Sequence, residues 1–519
     1  IALALREVLE TPRKTAFLVT ADRTLARRVA AKLAGWGIEL DDSGGAPLAG
    51  SYRATFMRLV SQLMADPSDP VALAGLIHHQ LFGLGLAPSE RRPLVQALDR
   101  FLRGRRPRSG WDGLMSSLDD HWRPYHPLRN SQDRERTETL LVALRDVFER
   151  HAAEAAPSVE RLLEAHLGIA LSLASTDAED GAERLFRFED GEVLEPHLEA
   201  LRSRPELLGE CSCEDYPELF DSFLQGPAFR PPGGQHPRLS VYGVLEGRLQ
   251  TADLVIVGGL QEGVWPGESA VDPFLSRRMR HVLGLPSPEA DIGRVGHDFT
   301  EFAAQPKVML TRSERRGRAP ARASRLMVRL ESFLEKLDPE RGFNAAPRLR
   351  SWRDARFGHD GAPTPAERPG PKPRSSVRPR RFSISTVGTW LRDPYAVYAR
   401  YVLGLRPMVR YDEPFRANHR GDIVHKLLEE AIRWQIEDPS EGVARSWDRL
   451  IPDVLEQYDM PSDQRLLNNQ FLVKARDNIL AFEADTEGLS TPRAVEVDGQ
   501  WQIKVFGETV SISGRADRV

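Results

Sequence analysis

Apolar positions along this chain alternate between short continuous runs and the helical period, and each switch marks a change of architecture. Thr15–Val19 is a short apolar run that predicts a strand. Leu25, Val29 and Leu33 then recur on one face of a helix that opens near Asp22 and ends at Gly35-Trp36-Gly37. Ile38–Leu40 predicts a second strand before the loop Asp41–Gly45. From about Phe56 to Pro231 the helical period dominates, with amphipathic segments at Leu94–Leu102, Thr139–His151, Val159–Leu171 and Leu194–Leu201 and no fixed internal repeat. The α/β pattern returns at Arg238: strands Leu239–Val244 and Leu254–Val257, a glycine run Gly258–Pro266, a helix around His297–Ala304, a strand Lys307–Thr311, an arginine-rich loop and a helix from Ser324 to about Lys336. This alternation predicts a parallel sheet whose ligands collect at the strand ends.

Residues 339–381 are rich in Pro, Gly and Arg and too poor in periodic apolar positions to form a core, so they read as an extended tether. Beyond them, Phe382–Thr386 opens a last domain. Gly421-Asp422-Ile423-Val424-His425 begins an amphipathic helix whose buried stripe is Ile423, Val424, Leu427, Leu428, Ala431 and Ile432, with His425 at its edge. Three strand-forming runs follow, Arg493–Val497, Trp501–Val505 and Thr509–Ser513, separated by Asp498-Gly499, a strong hairpin signal, and by Gly507-Glu508. Asp517 sits just past this predicted meander.

The 519 residues suggest three or four domains, and 41% apolar residues are enough for real cores. The chain begins with Ile1 rather than Met, shows no signal peptide, and has no apolar run long enough to cross a bilayer, which reads as an excerpt of a larger intracellular protein. Cys211 and Cys213 fit neither a disulfide framework nor a zinc site. A net charge of −4 gives no global nucleic-acid signature, so any DNA contact must come from local patches.

The order Gly-x-x-x-His, a long helical gap, strands, then Gly514-Arg515-Ala516-Asp517 resembles the start of the nuclease domain in the RecB-like branch of the PD-(D/E)xK superfamily. Hydrolysis of a phosphodiester needs a hard divalent cation to activate water and neutralise charge on the phosphate. The resemblance implies that His425 and Asp517 are Mg²⁺ ligands and catalytic residues, with Glu496 a weaker acidic candidate. It also implies that a second carboxylate and a lysine, in an Asp-Tyr-Lys sequence, lie past Val519, so that this stretch alone is inactive. Asp393 stands where many relatives place an iron–sulfur cysteine, so no such cluster is expected.

The strand, Asp-Arg, helix and Gly-Ile order near the start looks like the motif IV region of UvrD-type superfamily 1 helicases. Val244-Leu245-Glu246 with the Gly258–Pro266 run looks like motif V, and Val308-Met309-Leu310-Thr311-Arg312 like motif VI. These motifs, with Asp272–Arg277 and Ile292–Phe299, resemble the AddB family of bacterial AddAB helicase–nucleases, the alphaproteobacterial form most of all. The implied fold is α/β: a RecA-like helicase lobe (1–55 and 232–338) with a large helical insertion (56–231), the tether (339–381), and part of an α/β PD-(D/E)xK nuclease domain (382–519).

The implied function is repair of DNA double-strand breaks and end resection in the bacterial cytoplasm, at the nucleoid. The partners would be double- and single-stranded DNA and an AddA-type subunit. Arg312 and Glu246 would face ATP. No Gly-x-x-x-x-Gly-Lys-[Ser/Thr] occurs, and Arg13-Lys14-Thr15 lacks the glycine loop, so Arg312 is either a γ-phosphate finger or the remnant of one. Arg315, Arg316 and Arg318 are candidate phosphate contacts, and Trp265 either stacks on a base or plugs a core. The alternative reading is a non-catalytic DNA-binding scaffold that recognises a recombination hotspot.

Overall fold

The structure is a computed structural model. It describes the chain except residues 120–130, 152–157, 205–208, 231–235, 268–273, 338–342, 344–345, 359–364, 414–416, 438–442, 458–461, 486–494, 506 and 519. Asp272-Pro273, the start of the Arg493–Val497 run and parts of the tether therefore lie outside the described residues. The chain divides into two compact units, one of residues 1–57, 182–209 and 218–363, the other of residues 58–181, 210–217 and 364–519.

The first unit is built on five parallel strands: β1 (Ala16–Val19), β2 (Asp41–Asp42), β5 (Leu239–Tyr242), β6 (Leu254–Val257) and β7 (Val308–Leu310), in the order β2-β5-β1-β6-β7. A small pair, β3 (Ala46–Pro47) and β4 (Ala228–Phe229), lies outside this sheet. Ala-Phe-Leu-Val and Leu-Val-Ile-Val are buried at every position, as central strands covered on both faces must be. Strand pleating sends alternate residues to opposite layers. Leu18, Leu254 and Ile256 meet helices Ala2–Leu9 and Arg23–Ala34 through Leu5, Val8, Val29 and Leu33. Phe17, Val19, Val255 and Val257 meet Phe299 and Phe302 of helix Pro288–Ala303. Pairing with β5 begins at Asp41 rather than at Ile38, because Gly37 at φ +70° turns the chain first; Ile38 and Leu40 instead pack against the core.

Two predicted features of this unit are corrected. The tether is not extended throughout: Pro347–Phe357 is a helix, and Leu349 packs into the first core. The segment docks through charge on aromatic faces, which apolar periodicity does not register: Arg348 pairs with Glu7, and Arg6 and Arg356 lie 4.9 and 5.6 Å from the Trp36 ring. The arginine-rich loop is partly a β-hairpin, β8 (Arg315–Arg316) with β9 (Ala319–Pro320), closed by Gly317 at φ +62°.

In the second unit, helices Pro88–Leu102 and Ser131–Arg150 pack together, burying Leu98, Phe101, Leu102, Leu140, Leu141 and Leu144. At the end of the first of these, Asp99 accepts hydrogen bonds from Arg103, Tyr411 and His78. Burial pushes the Asp99 carboxyl up, but hydrogen bonds from Arg103, Tyr411 and His78 outweigh it and hold it below the usual carboxylate range. Burial, then the Asp99 bond, pushes the Tyr411 hydroxyl up to about 12.

A depressed carboxyl stabilises above its unfolded pKa of about 3.9, and that stabilisation is lost as pH falls through the folded value. A raised phenol stabilises below its unfolded pKa of about 10, and its contribution is lost as pH rises through the folded one. Amide exchange at Gly104 and Glu413, corrected for its intrinsic pH dependence, should therefore stay protected between about pH 5 and 9 and lose protection in acid. Protection unchanged well into acid would show that Asp99 does not hold this contact.

The C-terminal part of this unit carries a three-stranded sheet of β10 (Arg381–Ser383), β11 (Val495–Val505) and β12 (Glu508–Arg518), in the order β10-β12-β11, with β10 parallel to β12 and β11 antiparallel. The predicted hairpin at Asp498-Gly499 is absent. These residues lie inside β11, opposite Arg515 and Gly514, and only the second predicted break, at Gly507 with φ +79°, reverses the chain. Local turn preference loses because the full pairing is longer. Gly514 lies against Ile384 Cδ1 of helix Ile384–Arg392, the end of an exposed side chain that can turn aside.

Among the described residues no helix is long and apolar enough to cross a membrane. Cys211 and Cys213 are unbridged.

Candidate functional site

His425 lies on helix Ala417–Glu437, which the stripe of apolar residues positions as predicted: Ile423, Leu427, Ala431 and Ile432 are buried, the first three against Trp447, Leu450, Ile451 and Val454 of helix Val443–Gln457 and Leu472 of helix Ser462–Asp485. His425 itself is exposed at the stripe edge. Next to it, hydrogen bonding and charge from Glu430, aided by Glu429, raise the Lys426 ammonium above its ordinary range and keep it a cation.

The same helix packs against β11. On that strand, Val495 is paired with Arg518 and Val497 with Ala516, so the intervening positions, Glu496 and Asp517, face each other across the ladder. Two positions along the same strands, Asp498 is paired with Arg515, 3.8 Å between charged atoms. Asp517 thus belongs to the strand itself, rather than to a segment beyond a meander, and the helix carrying His425 lies against the partner strand.

The second group of candidates stands at the C-terminal edge of the parallel sheet. Arg312 is exposed two residues past β7, and Glu246 is exposed in the turn after β5. The strands that precede them, β5 and β7, have β1 and β6 between them, so both residues follow strands at the same edge of the sheet. Between them, the helix after β1 has its first amides already occupied: the Asp22 carboxylate accepts from Thr24 and Leu25 at 2.9 and 3.0 Å. Thr20 Oγ1 donates to Gly258 O at 2.9 Å, and a Cβ on Gly258 would stand 2.7 Å from Leu18. The glycine run is here a packing device.

Trp265 completes that packing. Its side chain is 0% exposed, its indole N–H donates to Gly258 O at 3.1 Å, and its ring meets Phe302 edge-on at 6.3 Å. Trp265 therefore has no face to offer a base, and the expectation of base stacking is corrected to that of a core plug. Arg315, Arg316 and Arg318 are exposed on the β8–β9 hairpin, with no ion pair among the described residues.

One cluster escaped the sequence reading. His297, Asp298 and Glu301 of helix Pro288–Ala303 hold their ligand atoms within 4.8 Å of one another, and the His-Asp-x-x-Glu spacing was its only local signal. A cation would have to displace Arg248, which grips Asp298 through two bonds of 2.9 and 2.8 Å, while Leu249 N–H donates to Glu301 at 2.7 Å. The cluster anchors the turn that presents Glu246.

Comparison with known proteins bears on these two sites unequally. An uncharacterized protein of Rickettsia felis is 21% identical over 363 residues, 67% of this chain and 41% of its own length. One of Rickettsia bellii is 18% identical over 308 residues, 59% of this chain and 36% of its own. The chain thus spans about two fifths of the length of the curated relatives it matches. Residues 381–519 match the model of the PD-(D/E)XK nuclease superfamily. The C-terminal segment that holds His425, Glu496 and Asp517 is a PD-(D/E)XK nuclease superfamily domain.

Proposed function

We propose that this chain belongs to an AddB-type subunit of a helicase–nuclease that resects DNA double-strand breaks, and that its C-terminal domain cleaves one DNA strand with Mg²⁺. The observation that carries this reading is the packing of the His425 helix on β11, the strand that includes Glu496 and pairs with the strand of Asp517, inside a segment that matches a nuclease superfamily. In this reading His425 and Asp517 hold the cation and Glu496 adds a weaker acidic ligand. Oxygen ligands with one imidazole suit a hard divalent ion. When bound, that ion supplies a water nucleophile at neutral pH and neutralises charge on the scissile phosphate. This chain's own residues contribute placement of the ligands and, through Lys426 and Arg433 paired with Glu429 and Glu430, a balanced local charge.

The parallel-sheet unit, in the same reading, is a helicase-like lobe that grips DNA next to an AddA-type partner. Arg312 and Glu246 face the nucleotide edge, and the β8–β9 hairpin contacts backbone phosphates. Linear DNA incubated with the full-length protein and its partner should be shortened with Mg²⁺ and left intact with a chelator. Binding without any metal-dependent shortening would leave the DNA-binding scaffold as the better description.

The hairpin gives a separate expectation. Each phosphate contact contributes roughly 0.7 to 0.9 to the slope of log affinity against log salt, so replacing Arg315, Arg316 and Arg318 by alanine should flatten that slope by about 2 to 3. A slope within error of wild type would assign these arginines to structure.

A further inference from the structure

We propose that Asp99, Arg103 and Tyr411 form a positioning lock: they pin the strap ahead of the His425 helix to the end of helix Pro88–Leu102, and so set where that helix presents its imidazole. The coupling to cleavage rests on the nuclease reading above; the lock itself does not.

The strap, residues 403–413, has little apolar means of holding its place. Leu403, Leu405 and Met408 are 47, 59 and 72% exposed, and Gly404 at φ +68° interrupts the chain just after the turn Tyr398–Val402. What fastens it is polar and specific. Arg103 donates to both carboxylate oxygens of Asp99 at 2.9 and 3.1 Å, to Val409 O at 3.1 Å and to the Tyr411 hydroxyl at 2.8 Å, while its guanidinium lies 4.4 Å from the Tyr411 ring. The Tyr411 hydroxyl donates in turn to Asp99.

The backbones join as well. Gly104 N–H donates to Arg410 O at 2.8 Å, and Glu413 N–H donates to Gly104 O at 2.7 Å, with Gly104 at φ +101° allowing the close approach. A planar guanidinium with its fixed fork of donors can serve two carboxylate oxygens, a carbonyl and a hydroxyl at once, and an ammonium cannot.

The position of this node in the chain gives it leverage. Tyr411 precedes the helix that starts at Ala417 by only a few residues, and His425 is in the third turn of that helix. On the other side, the Tyr401 hydroxyl hydrogen-bonds Thr386 Oγ1 at 2.8 Å, tying the upstream end of the strap to the helix that lies on β12. The strap thus joins the sheet side of the nuclease domain to its histidine helix, and the node fixes the strap between them. A shift of about 1 Å in a reacting group can cost about 100-fold in rate.

The test uses the full-length protein with its partner subunit. Arg103→Lys and the milder Tyr411→Phe are compared with wild type by hydrogen exchange over residues 403–413 and by single-turnover cleavage of linear DNA with Mg²⁺. Arg103→Lys should speed exchange in the strap at least about 10-fold, leave the core helices protected and lower the cleavage rate about 10- to 100-fold with DNA affinity unchanged. Tyr411→Phe, which keeps the ring under Arg103 but loses the hydroxyl, should fall between. Unchanged exchange in the strap overturns the lock. Fast exchange with a wild-type cleavage rate overturns its positioning role. A wild-type protein that does not cleave refutes the nuclease reading and with it the positioning role, while the exchange comparison still decides the lock.

Discussion

Replacing Asp517 by alanine in the full-length protein should lower metal-dependent DNA cleavage by more than about 100-fold while DNA affinity stays within about twofold. The bound follows from the ranking of effects at metal sites. Partners that only orient a ligand are worth about 10- to 100-fold, so removing an oxygen ligand itself belongs at or above that range. Affinity should persist, because duplex binding is dominated by cationic contacts to phosphate, and Asp517 offers none. His425→Ala should behave likewise and Glu496→Gln more mildly, since the register sets Glu496 at the same rung as a supplementary acid. Undiminished cutting by the Asp517 variant would exclude that carboxylate from the site and with it the assignment of the rung.

The second large effect is on stability. Arg53 and Asp190 form an ion pair of 2.7 Å with each side chain only 8% exposed, and Asp190 also accepts from the Arg53 backbone N–H at 3.2 Å. Asp190→Ala should destabilise the sheet-containing unit by about 3–5 kcal/mol, because it strands a buried guanidinium, whose Nε already lacks a partner, in a low-dielectric interior. Substituting both partners by apolar residues of similar volume should be much milder, since desolvation of the charges then disappears along with their attraction. Chemical denaturation of the single and double variants distinguishes the two. A loss below about 1 kcal/mol for Asp190→Ala would mean that water reaches the pair and screens it.

The same physical contrast explains what could be read from the chain and what could not. β1 and β6 were legible because a strand covered on both faces must be apolar at every position, and few other structures demand that. The helix after β1 was legible from Asp22, whose carboxylate caps it, and the His425 helix from the spacing of Ile423, Leu427 and Ala431. Asp498-Gly499 misled because a hairpin preference is local, worth little against a ladder of eleven-residue strands in which Gly499 faces Gly514. Trp265 could not be placed, since an indole after a glycine turn suits either a base or a core, and only the neighbouring Phe302 and Gly258 decide it.

By itself, then, the sequence determined the elements whose signal is periodic or capped, and it brought His425 and Asp517 to notice as residue types suited to a hard cation. Tertiary structure alone decided which distant parts come together: the strand of Asp517 beside that of Glu496, Arg248 on Asp298, and Arg103 with Tyr411, 308 positions further along. The reason is that periodicity and capping are properties of adjacent residues and are written locally, whereas register and side-chain convergence follow from how whole layers pack, which no short stretch of chain encodes.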